Sequence, residues 1–320
     1  MSLTFENLIA HNRHTSWGLV IAVTALLILL GAAIGSFVAV HHSGPDTNPI
    51  MLGMSIGAIL AIIGACVSYY AGRAMITTAT GARRIEKFED PLLFNVTEEM
   101  AIAAGLPPPQ IYVIGDDAPN AFATGRDPKH AIIGITTGLR AKLNRDELQA
   151  VIAHEMAHIK NFDIRLMMLI AVYAGIIVLI ADILKRMSFD SMRFSGGSTR
   201  TRSRTKGSPL TILVILAALL LGIIAPIFAR LLQLAISRER EYLADATAVQ
   251  LCRNPGALAS ALRKIAMDDD PSEFASDATA HLFIINPDPK RRLKNSDWNS
   301  VWSTHPPLIK RIARLNQLAA

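Results

Sequence analysis

Cysteine is nearly absent. The 320 residues contain two, Cys66 inside an apolar run and Cys252 in a polar part of the chain. No disulfide framework follows from such a pair, and any metal site must be built from histidine and carboxylate. Basic residues interleaved with aromatics are also lacking, so the net charge of +6 carries no signature of nucleic-acid binding. The first two apolar runs contain no ionisable residue, and Asp182 and Arg230 lie near the ends of the other two. A transporter would place such groups within its spans. No internal repeat is present.

What the chain has is apolar residue, 51% of the total, gathered into long stretches that raise the mean hydropathy to +0.33. Four runs stand out, at about 17–40, 50–71, 166–184 and 210–236. A run of about 20 residues spans a hydrocarbon core of about 30 Å as a helix. The first is too long for the apolar part of a signal peptide, and the second follows it almost at once. The loop 41–49 has no Lys or Arg, whereas Arg73, Arg83, Arg84 and Lys87 follow the second run. Positive residues favour the cytoplasmic side, so both ends of this hairpin are expected inside. The linker 185–209 opposes that order. It carries Lys185, Arg186, Arg193, Arg200, Arg202, Arg204 and Lys206 against Asp190 alone. The early hairpin is expected to set the orientation, with the chemistry on the cytoplasmic side.

The remaining residues are enough for one core. Residues 90–106 predict a helix stopped at Gly105-Leu106-Pro107. QIYVIGD, NAFATG and HAIIGIT predict three short strands, read as an antiparallel meander. Asn144 and Glu147 have the spacing of a capping box and open a helix running to about Lys160.

That helix contains VIAHEMAHI, with His154 and His158 four residues apart. At this spacing two imidazoles share one helix face and can hold one metal ion. Glu155 is rotated about 100° around the axis, where it can reach a water without ligating the metal. A hydrolytic zinc site needs a third protein ligand and an open position. SREREYLADATA, after the fourth run, offers Glu241, with Asp245 one turn along to orient a histidine ring. Glu239 is the rival ligand on another face, and a solvated charged stretch is the plain reading. If His158 and Glu241 share an ion, residues 166–236 must leave and return to the same side.

HEMAHIKNFD, a second hydrophobic hairpin, SRERE-YLAD and THPPLIKRI together resemble the HtpX family of membrane-bound zinc peptidases over essentially the whole chain. More distantly they resemble the CAAX prenyl proteases. The resemblance implies an α-helical integral membrane protein with an α+β zincin-like catalytic domain: four hydrophobic helices, a small antiparallel sheet and a metal-binding HExxH helix. The domains would be an N-terminal transmembrane hairpin (1–71), a first catalytic part (72–165), a second hydrophobic hairpin (166–236) and a second catalytic part (237–320).

It implies one Zn²⁺ per subunit on His154, His158 and Glu241, with Asp245 as the paired acid and Glu155 as catalytic base. Asn120, Ala121, Phe122 and Ala123 would form an edge strand, and an unpaired edge can take an extended substrate by main-chain hydrogen bonds. His305 would donate to the oxyanion, while His281, His130, His41 and His42 have no such support and read as surface or loop residues. The activity implied is endopeptidase cleavage of misfolded or unassembled membrane proteins, for quality control under stress. The setting implied is the bilayer of a bacterial cytoplasmic membrane, with no nucleic-acid partner. A prenyl-protein protease and a non-catalytic zinc scaffold are the alternatives; a general base beside the two histidines disfavours the scaffold.

Overall fold

The computed structural model describes residues 48–176, 238–272, 280–285 and 306–319, together with helical positions between 18 and 32. The chain divides into two compact units, one from residues 1–16, 68–171 and 233–320, the other from 17–67 and 172–232.

Helix α1 (Pro49–Ala79) contains the second apolar run. It continues past Ala71 and stops before Gly81, whose φ of 63° is the left-handed conformation that ends helices. Among the described residues it alone is long and apolar enough to cross a membrane. Met51, Leu52, Ile59, Ile62 and Tyr70 are exposed along it. A helix apolar on every side is suited to lipid or to a large core. The third run is helical over 163–176. In the second unit the Tyr173 hydroxyl donates to the Ala61 carbonyl (3.2 Å). The fourth run, the linker 185–209 and most of the first run lie outside the described residues, so four spanning helices remain an expectation.

In the other unit, β1 (Arg83–Arg84) is followed by α2 (Pro91–Ala104), capped by Asp90 as its side chain accepts from Leu93 N. Strands β2 (Gln110–Ile114), β3 (Ala121–Thr124) and β4 (Ile132–Thr136) follow. The expected antiparallel meander is corrected here. The sheet order is β1-β2-β4-β3, with β2 and β4 parallel and β3 antiparallel to β4. Every residue of β4 is buried, as suits a strand with neighbours on both sides. Gly134 lies opposite Phe122. A Cβ there would meet the Phe122 ring at 2.4 Å, so the glycine makes the room in which that ring is buried.

After the short α3 (Thr137–Lys142), α4 (Arg145–Lys160) forms the centre of the core. The capping box is present: Asn144 Oδ1 accepts from Glu147 N and Glu147 Oε2 accepts from Asn144 N, both at 2.9 Å. Glu147 also accepts from Ser260 and Lys264 (2.7 Å each), which ties α4 to α6 (Pro255–Ala266). Helix α4 packs against α2, β3, α5 (Arg238–Cys252) and α6, and α6 packs on α7 (Leu308–Ala319). Residues Leu148, Val151, Ile152 and Ile159 are fully buried, at about 1.5–3 kcal/mol for each such side chain. The rigid centre of the unit is therefore the helix that carries the two histidines.

Candidate metal centre

His154 and His158 lie one turn apart on α4, rings nearly perpendicular, with their Nε2 atoms 3.2 Å apart. Helix α5 crosses α4 and brings in Glu241, whose Oε2 is 3.7 Å from His154 Nε2 and whose Oε1 is 3.5 Å from His158 Nε2. All three residues are buried, and one ligand atom from each falls within 4.8 Å of the others. Nothing of the Glu239 side chain is described.

The outer ring nitrogens are also occupied. His154 Nδ1 lies 3.0 Å from Asp245 Oδ1, and His158 Nδ1 lies 3.1 Å from Asp163 Oδ2. His158 Nδ1 is hydrogen-bonded to Asp163 and His154 Nδ1 faces Asp245 at ion-pair distance, which leaves the Nε2 side of each ring towards Glu241. Two imidazoles and a carboxylate, converging from two packed helices, are a donor set that fits zinc.

The buried groups shift one another's protonation. Burial lowers the His154 pKa, opposed by Asp245. For His158, burial is overridden by Asp163 and Glu241, and the ring is pushed up to about 9. Burial and the neighbouring Glu241 carboxylate push Glu155 up to about 7 despite His158. Burial would raise Asp245, but Arg311 and His154 hold it below the usual carboxylate range. Glu155, Asp163, Glu241 and Asp245 lie among the buried cations Arg240 and Arg311 and a His158 ring that readily takes a proton, a positive charge that a divalent ion can replace.

Three of these groups went unnoticed in the sequence. Asp163 reaches His158 because Phe162 adopts a left-handed φ of 60° just past the end of α4 and turns the chain back. Such a residue costs about 1–3 kcal/mol and persists only where packing holds it. Arg240 Nη1 lies 3.3 Å from Asp163 Oδ1. Arg311 sits on α7, fully buried, against Asp245 and Glu241. Its signal was an arginine in the apolar stripe Leu308-Arg311-Ile312-Leu315 of an amphipathic helix.

The unpaired edge expected at Asn120–Ala123 is corrected in part. Thr136 N donates to Asn120 O, so by the period of two the groups of Ala121 and Ala123 face the outer edge. There Ile284 N donates to Ala121 O (2.9 Å), Asn120 Nδ2 donates to Ile285 O (3.2 Å), and Phe122 pairs with Phe283. Residues 283–285 thus cover the edge as far as Phe122. They belong to the core, and nothing near them in the sequence announces the pairing. Ala123 lies beyond, its backbone hydrogen-bonded to the Glu155 carboxylate. His281, read as a surface or loop residue, is instead buried, with Nε2 3.0 Å from the Met167 carbonyl. His130 is exposed, as read. His305, His41 and His42 lie outside the described residues.

The model of peptidase family M48 matches residues 88–319. A protease HtpX homolog from Caldanaerobacter subterraneus subsp. tengcongensis is 43% identical over 293 residues, covering 92% of each chain. One from Streptococcus gordonii is 37% identical over 316 residues, covering 99% of this chain and all of its own. Among solved structures, the crystal structure of S. mikatae Ste24p shares the fold with a TM-score of 0.51 at 20% identity. That likeness covers 97% of this chain and 66% of the Ste24p chain.

Proposed function

Because the chain belongs to peptidase family M48, as an HtpX-type metalloprotease, we propose that it is a zinc endopeptidase of the bacterial cytoplasmic membrane that cuts misfolded or unassembled membrane proteins from the cytoplasmic side. The observation that carries the reading is the convergence of His154, His158 and Glu241 from two helices, with Glu155 one residue along.

His154, His158 and Glu241 would hold one Zn²⁺, while Asp245 and Asp163 fix the two rings from behind. Zinc supplies Lewis acidity, polarising water and the scissile carbonyl. Glu155 does the proton work. It takes a proton from the attacking water and returns it to the leaving amine, and its burial favours taking up that proton. In this reading the Ala123 carbonyl, on the β3 edge beyond Phe122, would pair with the substrate main chain, its N–H being turned to Glu155. The segment covering Asn120–Phe122 confines pairing to that end. His305 is proposed as the oxyanion donor on resemblance alone.

The exposed apolar flanks of α1 and the loop 41–49, which lacks Lys and Arg, support membrane residence with the active site inside. The purified, zinc-loaded protein is expected to cleave casein and a truncated polytopic membrane protein, neither of which is prenylated. Cleavage confined to a prenylated C-terminal peptide would overturn this substrate class in favour of prenyl-protein maturation.

A further inference from the structure

Arg311 is the largest of the fully buried side chains. Its Nε and Nη2 donate to the two oxygens of Asp245, at 2.8 and 2.7 Å. Its Nη1 donates to the Ile284 carbonyl at 2.8 Å and lies 3.3 Å from Glu241 Oε2. Asp245 in turn faces His154 Nδ1. One planar cation from the C-terminal helix therefore touches the group behind one candidate ligand and one oxygen of another.

We propose that Arg311 is a positioning residue of the metal centre, holding both oxygens of Asp245 so that this carboxylate stays against the Nδ1 side of His154, and setting its charge beside Glu241. This rests on the metal-binding reading above. A carboxylate fixed behind a ligand ring sets that ring's orientation and so the strength of the metal site. The task requires a fork. Guanidinium offers five donors in a fixed plane and can serve Asp245, Ile284 and Glu241 together, whereas lysine offers one point charge on a flexible stem. A merely structural ion pair would need only charge and packing.

The test uses the full-length protein in detergent. Zinc affinity is read by competition with a chromophoric chelator, coordination number by the visible spectrum of the Co²⁺-loaded protein, and folding by the melting temperature of the metal-free protein. Wild type is expected to give the intense bands of four-coordinate cobalt. Arg311→Lys keeps the charge and is expected to lose about 10–100-fold in zinc affinity. Its cobalt spectrum is expected to change as the His154 ring loses the fixed partner behind it. An Arg311→Lys protein with wild-type affinity and spectrum would overturn the proposal, whatever its melting temperature. Glu241→Ala separates the two levels of inference. If it leaves zinc affinity unchanged, the metal-binding reading itself fails. If it lowers affinity and Arg311→Lys does not, only the role of Arg311 fails.

Discussion

Glu155→Gln is expected to lower peptide cleavage by about 10²–10⁴-fold, the usual contribution of a general base, while the protein still binds its metal. Glutamine matches glutamate in shape and can still accept from the Ala123 backbone, but it cannot take a proton. Glu155 is fully buried, with Oε1 lacking a hydrogen-bond partner among the described residues. Such a group is costly in the core, which is why burial drives its pKa up to about 7. The sign of the stability effect follows. A carboxyl whose folded pKa is raised loses stability as the pH rises from its unfolded value through about 7, and the loss is complete above that. At pH 8 the metal-free Gln variant should therefore melt no lower than metal-free wild type. Lost cleavage together with retained stability and metal would place the defect in proton transfer. Undiminished cleavage would remove Glu155 from the mechanism.

Glu241→Ala is expected to abolish cleavage by removing the ion. Two histidines on one helix are a weak site alone, and zinc affinity should fall by more than the about 10–100-fold typical of changes behind the ligands. The alanine also leaves the buried Arg311 with one anionic partner instead of two. Breaking a buried ion pair costs about 3–5 kcal/mol, and with Asp245 still in place the loss should lie at the low end. Glu241→Gln separates the two consequences. It keeps the volume and an oxygen for Arg311, so folding should survive while zinc affinity and activity still collapse. A Gln variant with full metal and full activity would exclude Glu241 as a ligand.

Local signals in the sequence were reliable because local physics sets them. The capping box at Asn144 and Glu147 and the two histidines on one helix face follow from spacing along a single helix. Glu241 needed more, since it is completed across the chain: zinc demands a third donor and SREREYLAD offers acids at helical spacing, but the choice of Glu241 over Glu239 came from the family resemblance. The sheet order was not legible. Alternation reports which face of a strand is buried, and cannot say that β4 lies between β2 and β3. The covering of Asn120–Phe122 by residues 283–285 is a contact between distant segments, with no local trace. Asp163 was hidden because its position depends on the left-handed Phe162, a residue type that seldom takes that conformation. Arg311 was legible in principle, as a charge in an apolar stripe. The stripe marks it as buried, and only the packing of α7 shows what it holds.

The most direct test of the account is metal removal and return on the wild-type protein. Purified protein is stripped with a chelator, its zinc content measured, and casein cleavage followed as zinc is added back. The account predicts one ion per chain, no cleavage in the stripped protein, and recovery that saturates at one equivalent. Cleavage that persists at full rate in the metal-free protein would contradict it.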